Sequence, residues 1–327
     1  MARRPIVTFQ DNRLLDPAVQ GGLLDTVRKA GGRGFQQDIS FGDVWNAQQG
    51  RYDFSKYDAE VNNARAKGLN DITFRLFGTP TYQARNNPAA SSLLSANNPN
   101  AAAAGKFAEA VAEHFAGRVD RYGIWNEPNV PSFLNREPMK AAKDYELIYR
   151  SMRNAIKGVR PAAKVGFGEI TAQQPNTPGY ASTIGFLKAA LMQSKKPLIA
   201  DYFAVHPYQW SDPTKKVGNA WYGGVSNLQA VQDELHKQAR AGKFITPTGH
   251  VVPLVASEFG YKHDAQKNPH VRARWMREAM GEMQDAGVSR VNLYQLLPSK
   301  AGDYWDSSIL NARGQLPDEM RRAIMGR

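Results

Sequence analysis

Residues 119 to 205 decide the fold. Val119-Asp120-Arg121-Tyr122-Gly123-Ile124-Trp125 is a short, mostly apolar run, and residues 139–159 then carry Tyr145, Ile148, Met152 and Ile156 at helical spacing. Lys164-Val165-Gly166-Phe167 starts a second run, residues 180–193 make a second helical pattern, and Tyr202-Phe203-Ala204-Val205 makes a third run. The runs lack the period-two alternation of a half-exposed strand, so they read as strands buried on both faces, as in a parallel sheet covered by helices.

The same rhythm extends in both directions. Further runs fall at 5–9, 34–39, 71–77, 251–256 and 290–293, with helical patterns at 17–30, 55–67, 101–116, 226–241, 270–286 and 316–324. Asn100 precedes an alanine-rich start where a side-chain cap is expected, and Gly68 and Gly287 stand where a helix closes through a left-handed residue. Eight strand–helix pairs suit either an open doubly wound sheet or a closed (β/α)8 TIM barrel. The first strand–helix turn, Phe9-Gln10-Asp11-Asn12, has no glycine for a dinucleotide fingerprint, which favours the barrel. With 327 residues and no Pro/Ser linker, the expectation is a single-domain barrel over residues 1–327.

Composition narrows the chemistry. There is no cysteine, which excludes disulfides, thiolate catalysis and cysteine-ligated zinc. No apolar run approaches the roughly 18 residues of a membrane span, and no apolar segment follows Met1-Ala2-Arg3-Arg4-Pro5 as a secretory signal would require. The compartment is left open. The net charge of +12 is scattered rather than striped, with its densest patches (Arg272, Arg274, Arg277; Arg321, Arg322) at helical spacing. Solvated helix faces account for this best, an anionic or cell-surface polysaccharide is the sharper alternative, and nucleic acid is not expected.

In a barrel the chemistry gathers at the C-terminal ends of the strands. Candidates there are Asp38, Arg75, Asn126, Glu127, Glu169, His206, Tyr208, Glu258, Tyr294 and Gln295, with Trp45, Phe77, Tyr82, Phe133, Trp210 and Trp305 among the loop aromatics. Flat rings beside carboxylates and amides suit sugars, and no cluster has metal-ligand spacing. Glu127 lies in Ile124-Trp125-Asn126-Glu127-Pro128-Asn129, a neutral and apolar setting that suits a general acid. Glu258 lies in Val255-Ala256-Ser257-Glu258-Phe259-Gly260-Tyr261, three strands further on and so across the lumen. A pair flanking one bond, with carboxyl groups about 5–5.5 Å apart, is what double displacement needs.

These strings resemble clan A glycoside hydrolases, and most of all glycoside hydrolase family 39 and its neighbours. The likeness rests on Trp125-Asn126-Glu127-Pro128-Asn129, His206-Pro207-Tyr208 and Ser257-Glu258-Phe259-Gly260. Ile39 to Trp45, Gly50 to Phe54 and Gly78-Thr79-Pro80 support it. The resemblance implies a retaining glycosidase with Glu127 as acid/base, Glu258 as nucleophile and Asn126 on the hydroxyl beside the anomeric carbon. Tyr208 would steady the nucleophile and His206 would line the site. Trp45, Arg75, Glu169, Tyr294 and Trp305 complete the expected substrate contacts, Glu169 being either a sugar contact or structural and Asp38 a structural acceptor. No cofactor or metal is expected, and the protein is expected to act as a monomer. Two departures stand out. Gln36-Gln37 occupies the second-strand position where the clan commonly has an arginine against the nucleophile, leaving Arg75 as the substitute. The family's small β-sandwich has no counterpart after the eighth helix, which implies an open cleft cutting within polymers. The alternative is a barrel that binds glycans and has lost turnover.

Overall fold

The computed structural model describes residues 3–172, 180–264, 266–299 and 305–326. Eight strands carry the fold: β1 (Ile6–Gln10), β2 (Gln36–Ser40), β3 (Thr73–Phe77), β4 (Arg121–Ile124), β5 (Lys164–Thr171), β6 (Tyr202–His206), β7 (Leu254–Phe259) and β8 (Arg290–Tyr294). They pair in parallel in the order β1-β8-β7-β6-β5-β4-β3-β2. The ring closes between β1 and β2 through one isolated parallel bridge, Phe9 with Phe35, and two backbone bonds, Phe9 N–H to Gly34 at 3.4 Å and Arg33 N–H to Val7 at 3.2 Å. The expected barrel is therefore the one observed.

The covering helices are α1 (Pro17–Lys29), α2 (Ser55–Ala66), α3 (Ala101–His114), α4 (Pro138–Val159), α5 (Thr183–Gln193), α6 (Leu228–Arg240), α7 (Pro269–Asp285) and α8 (Asp318–Met325). Local chemistry sets their starts. Asn100 Oδ1 accepts from the Ala102 and Ala103 N–H groups at 3.0 and 3.1 Å, satisfying donors a helix start leaves unpaired. Asp16, Ser182 and Asn268 cap α1, α5 and α7 in the same way. On α4, Tyr145, Ile148, Met152 and Ile156 are all buried against the barrel, as their spacing predicts.

Inside the barrel a polar net spans the seam. Gln36 Nε2 donates to Gln10 Oε1 (3.1 Å) and to the Ser257 carbonyl (3.0 Å), and Asn292 Nδ2 donates to the same two acceptors at 3.0 and 3.1 Å. Two strands bulge near their C-terminal ends. The β5/β6 register shifts between Gly168 and Ile170, and the β7/β8 register between Ala256 and Phe259. Each bulge contains one glutamate, Glu169 or Glu258, and bulges are a common means of re-aiming a side chain beside a site.

Candidate active site

The loop after β4 is held by its own side chains and by β5. Trp125 is fully buried and donates from its indole N–H to the Phe133 carbonyl at 2.8 Å. Asn129 donates to the carbonyls of Thr171 and Ala181 at 2.8 and 2.9 Å, and the Glu127 N–H donates to the Glu169 carbonyl at 2.9 Å. Trp125 and Glu127 both adopt positive φ, 66° and 38°. Non-glycine residues in that region cost about 1–3 kcal/mol each and persist where surrounding contacts fix them.

That backbone brings Glu127 to Glu258. His206 Nδ1 lies 3.0 Å from Glu127 Oε1 and 3.1 Å from Glu258 Oε2, and one carboxylate oxygen from each glutamate and a nitrogen of His206 all fall within 4.8 Å of one another. Arg75 approaches from β3. Its fork meets Asp38 through Nε and Nη2 at 2.7 Å each, and Nη2 also reaches Glu258 Oε1 at 3.2 Å. The guanidinium against Glu258 thus comes from β3, while Gln36 and Gln37 stand on β2.

The electrostatics follow from these contacts. Burial pushes the Glu258 carboxyl up, but Arg75 and then His206 outweigh it and hold the group down at about 2. Burial disfavours a charged His206, yet Glu258 together with hydrogen bonds to Glu127, Glu169 and Glu258 raises it well above the usual imidazole range. Asp38 is raised, first by burial, against the pull of Arg75. These contacts favour an ionised Glu258 and a protonated ring at His206, which touches both glutamates. Glu127, His206 and Glu258 also have the spacing of a cation site. Arg75 already supplies positive charge 3.2 Å from Glu258, where a cation would otherwise balance that carboxylate.

Above these groups opens a cleft of about 480 Å³. Asn126, Glu127, Arg75, Tyr208, Glu258, Tyr294 and Trp305 all line it, as the strand-end reading expects. Asn126 Oδ1 and the Tyr208 hydroxyl are buried without a partner among the described residues, so both are available to a ligand's hydroxyls. Trp305 packs edge-on to Tyr208 (4.9 Å) and Trp210 (5.1 Å), while Tyr82 and Phe133, 6.1 Å apart, form a second aromatic wall. A hollow of 770 Å³ between the start of α2 and the end of α3, bounded by Phe54, Asp58 and His114, is larger but contains none of this chemistry.

Three expected sugar contacts lie elsewhere. Trp45 is stacked on Phe41 at 5.5 Å and packed against Tyr52 at 5.3 Å, where it helps to cover the core and does not line the cleft. It opens a short antiparallel pairing, Trp45 with Tyr52 and Asn46 with Arg51. His206 and Glu169 have no solvent exposure and sit beneath the cleft rather than at its surface. The left-handed backbone of Glu169 (φ 52°) and the bulge around it set that depth. Asn12 and Ser132, not singled out in the sequence, also line the cleft, and Tyr82 and Phe133 matter more than their place in a loop suggested. The strand-end rule reaches Asn12, which follows β1 by two residues.

No family model matches the chain, and no curated protein does. Solved structures do. A family 39 glycoside hydrolase from the gut symbiont Bacteroides cellulosilyticus WH2 superposes with a TM-score of 0.72 at 16% identity, covering 98% of this chain and 63% of that one. A GH39 β-xylosidase from Caulobacter crescentus gives 0.66 at 18% identity, over 99% of this chain and 72% of that one. XEG5A, a GH5 xyloglucan-specific endo-β-1,4-glucanase from a metagenomic library, gives 0.62 at 15% identity, over 95% and 88%. The chain spans less than two thirds of the first of these proteins. At such identities the likeness is one of architecture: the chain has the (β/α)8 barrel fold of these GH39 and GH5 glycoside hydrolases.

Proposed function

We propose that the protein is a retaining glycoside hydrolase in which Glu258 is the nucleophile and Glu127 the general acid/base. The observation that carries this reading is the pair of carboxylates with oxygens within 4.8 Å, bridged by one imidazole nitrogen at the floor of a cleft. Oxygens so close let both carboxyl groups flank one glycosidic bond, and we read the pair as the short, retaining arrangement of about 5–5.5 Å between carboxyl groups. Glu258, kept ionised by Arg75 and His206, attacks the anomeric carbon while Glu127 gives its proton to the departing oxygen. Glu127, then a carboxylate, takes a proton from water as that water releases the sugar from Glu258. Asn126 and Tyr208 bring unpaired polar atoms to the reacting ring.

The substrate we assign is a glycan whose reacting sugar is neutral. An anionic polymer is what the net charge of +12 suggested, yet the sole cation among the described cleft-lining residues is Arg75, already committed to Asp38 and Glu258. Asp38 and Glu258 in the same lining would repel a uronate. Aromatic walls at Tyr82/Phe133 and Trp210/Trp305 offer stacking surfaces for sugar units around the reacting one, which supports cleavage within a chain. Incubation with a panel of neutral plant and bacterial polysaccharides, followed by NMR, tests the reading. The first product should carry the anomeric configuration of its substrate, and an inverted first product would end the proposal.

A further inference from the structure

Glu169 lies outside the two-carboxylate reaction, yet much local geometry is devoted to it. It is fully buried at φ 52°, within a bulge of β5. Gly168 before it has φ 125°, and a Cβ there would lie 2.3 Å from the Ala204 carbonyl oxygen. Gly123 on β4 leaves the space its carboxylate fills, since a Cβ at Gly123 would stand 2.3 Å from Glu169 Oε1. A buried carboxylate is costly unless paired and hydrogen-bonded. Here Oε1 has no partner among the described residues, Arg75 Nη1 is 3.7 Å from Oε2, and the one short side-chain contact is Oε2 to His206 Nε2 at 3.1 Å.

We propose that Glu169 is a positioning residue that fixes His206 with hydrogens on both ring nitrogens, so that Nδ1–H serves Glu258 and Glu127 in turn. This rests on the glycosidase reading above. The ring has two possible arrangements at Nε2. Arg75 Nη1, a donor only, lies 3.0 Å from Nε2 and could donate to a bare nitrogen, which would leave Glu169 buried with no donor. A hydrogen on Nε2 instead satisfies Glu169; Arg75 Nη1 then faces a second donor and turns to Glu169 Oε2 at 3.7 Å, while Nε and Nη2 keep their bonds to Asp38 and Glu258. Nδ1 faces both glutamates, and with the Glu258 carboxylate 3.1 Å away a second hydrogen, on Nδ1, gives that anion a donor. At rest Glu258 is the anion that accepts it. After Glu258 forms its bond to the sugar, Glu127 has lost its proton and becomes the acceptor 3.0 Å away, without movement of the ring.

The charged groups facing His206 are Glu127 after β4, Glu169 on β5, Glu258 on β7 and Arg75 on β3, with Asp38 on β2 acting through Arg75 and the Tyr208 ring 6.5 Å away. The test is NMR of ¹⁵N-labelled histidine, with His206 assigned among the six histidines by its loss in His206→Gln. In the unaltered protein both ring nitrogens should remain protonated well above the usual imidazole midpoint. In Glu169→Gln, Nε2 should lose its hydrogen and the midpoint fall by at least about one pH unit, a tenfold change in proton affinity. The basic limb of kcat/KM should move in the same direction, and Glu169→Asp should restore part of it. A neutral His206 in the unaltered protein at about pH 6, below its ordinary midpoint, overturns the proposal without need of any variant. So does an unchanged titration in folded Glu169→Gln. Because the spectra need no substrate, absence of glycosidase activity would count against the proposed function and leave the placement of the hydrogens separately decided.

Discussion

Replacing Arg75 with methionine is the sharpest perturbation of the proposed nucleophile. Glu258 is held at about 2 rather than its ordinary 4.5 although burial alone would move it the other way. At 1.36 kcal/mol per pKa unit, that gap is worth roughly 3 kcal/mol in favour of the ionised carboxylate. Arg75 is the largest of the lowering influences, ahead of His206. Without it the Glu258 carboxyl should rise to about 5 or above, leaving about one tenth of the nucleophile ionised at about pH 4. The assay is kcat/KM against pH on an aryl glycoside accepted by the wild type. The acid limb of Arg75→Met should move up by about two pH units or more, with activity near pH 4 down about tenfold against the same variant near pH 7. Arg75→Lys, which keeps the charge but not the fork to Asp38, should show a smaller displacement. Losing Arg75 also strands buried carboxylates, so the methionine variant should lose about 3–5 kcal/mol of stability in urea titrations. If folded Arg75→Met keeps the wild-type acid limb to within about half a pH unit, the electrostatic account of Glu258 is wrong.

Other outcomes follow from the same contacts. Glu258→Ala should abolish turnover and, with azide added, release a glycosyl azide, whereas Glu127→Gln should spare the first step for aryl glycosides with very good leaving groups. Wild-type turnover of a natural glycan by either variant would refute the assignment. Trp45→Leu should lower stability by about 1–3 kcal/mol, less than a fully buried tryptophan truncated to alanine, while KM stays unchanged; a large rise in KM would return Trp45 to the cleft. The raised His206 contributes stability that is fully present below its unfolded midpoint of 6.5 and is lost as pH rises through the higher folded value. Urea midpoints of wild type and His206→Gln should therefore differ most below pH 6.5 and converge under alkaline conditions, and a gap that widens with pH would mean that the surrounding carboxylates do not hold the imidazole protonated.

The barrel was legible because its evidence is local. Strands at 71–77 and 290–293 announce themselves as short apolar runs and helix 139–159 by the spacing of Tyr145, Ile148, Met152 and Ile156, and the observed Thr73–Phe77, Arg290–Tyr294 and Pro138–Val159 match closely. Glu127 and Glu258 could be nominated because the strand-end rule and the barrel's symmetry place them across one lumen. What escaped was depth. In the sequence His206 and Glu169 read as strand-end residues just as Tyr208 and Glu258 do, yet a bulge and a left-handed residue sink Glu169 below the cleft, and His206 ends β6 inside the barrel. Gly168 and Gly123 were the signal, small residues in strands where something else must fit. Trp45 misled because an aromatic in a mouth loop reads the same whether it faces sugar or the Phe41 ring. The Arg75–Glu258 contact joins residues 183 positions apart, and no spacing in the sequence encodes it.

The join between β1 and β2 bears on how the centre is wired. Because main-chain pairing there is so thin, the hoop is fastened from within by amides, and Gln36 is one of the clasps. A long cation at position 36 would give up that fastening to Gln10 and Ser257. A guanidinium on β3 reaches Glu258 while the clasp stays shut. With the amide on β2 and the charge on the next strand, one stave holds the cask together while its neighbour sets the field around Glu258.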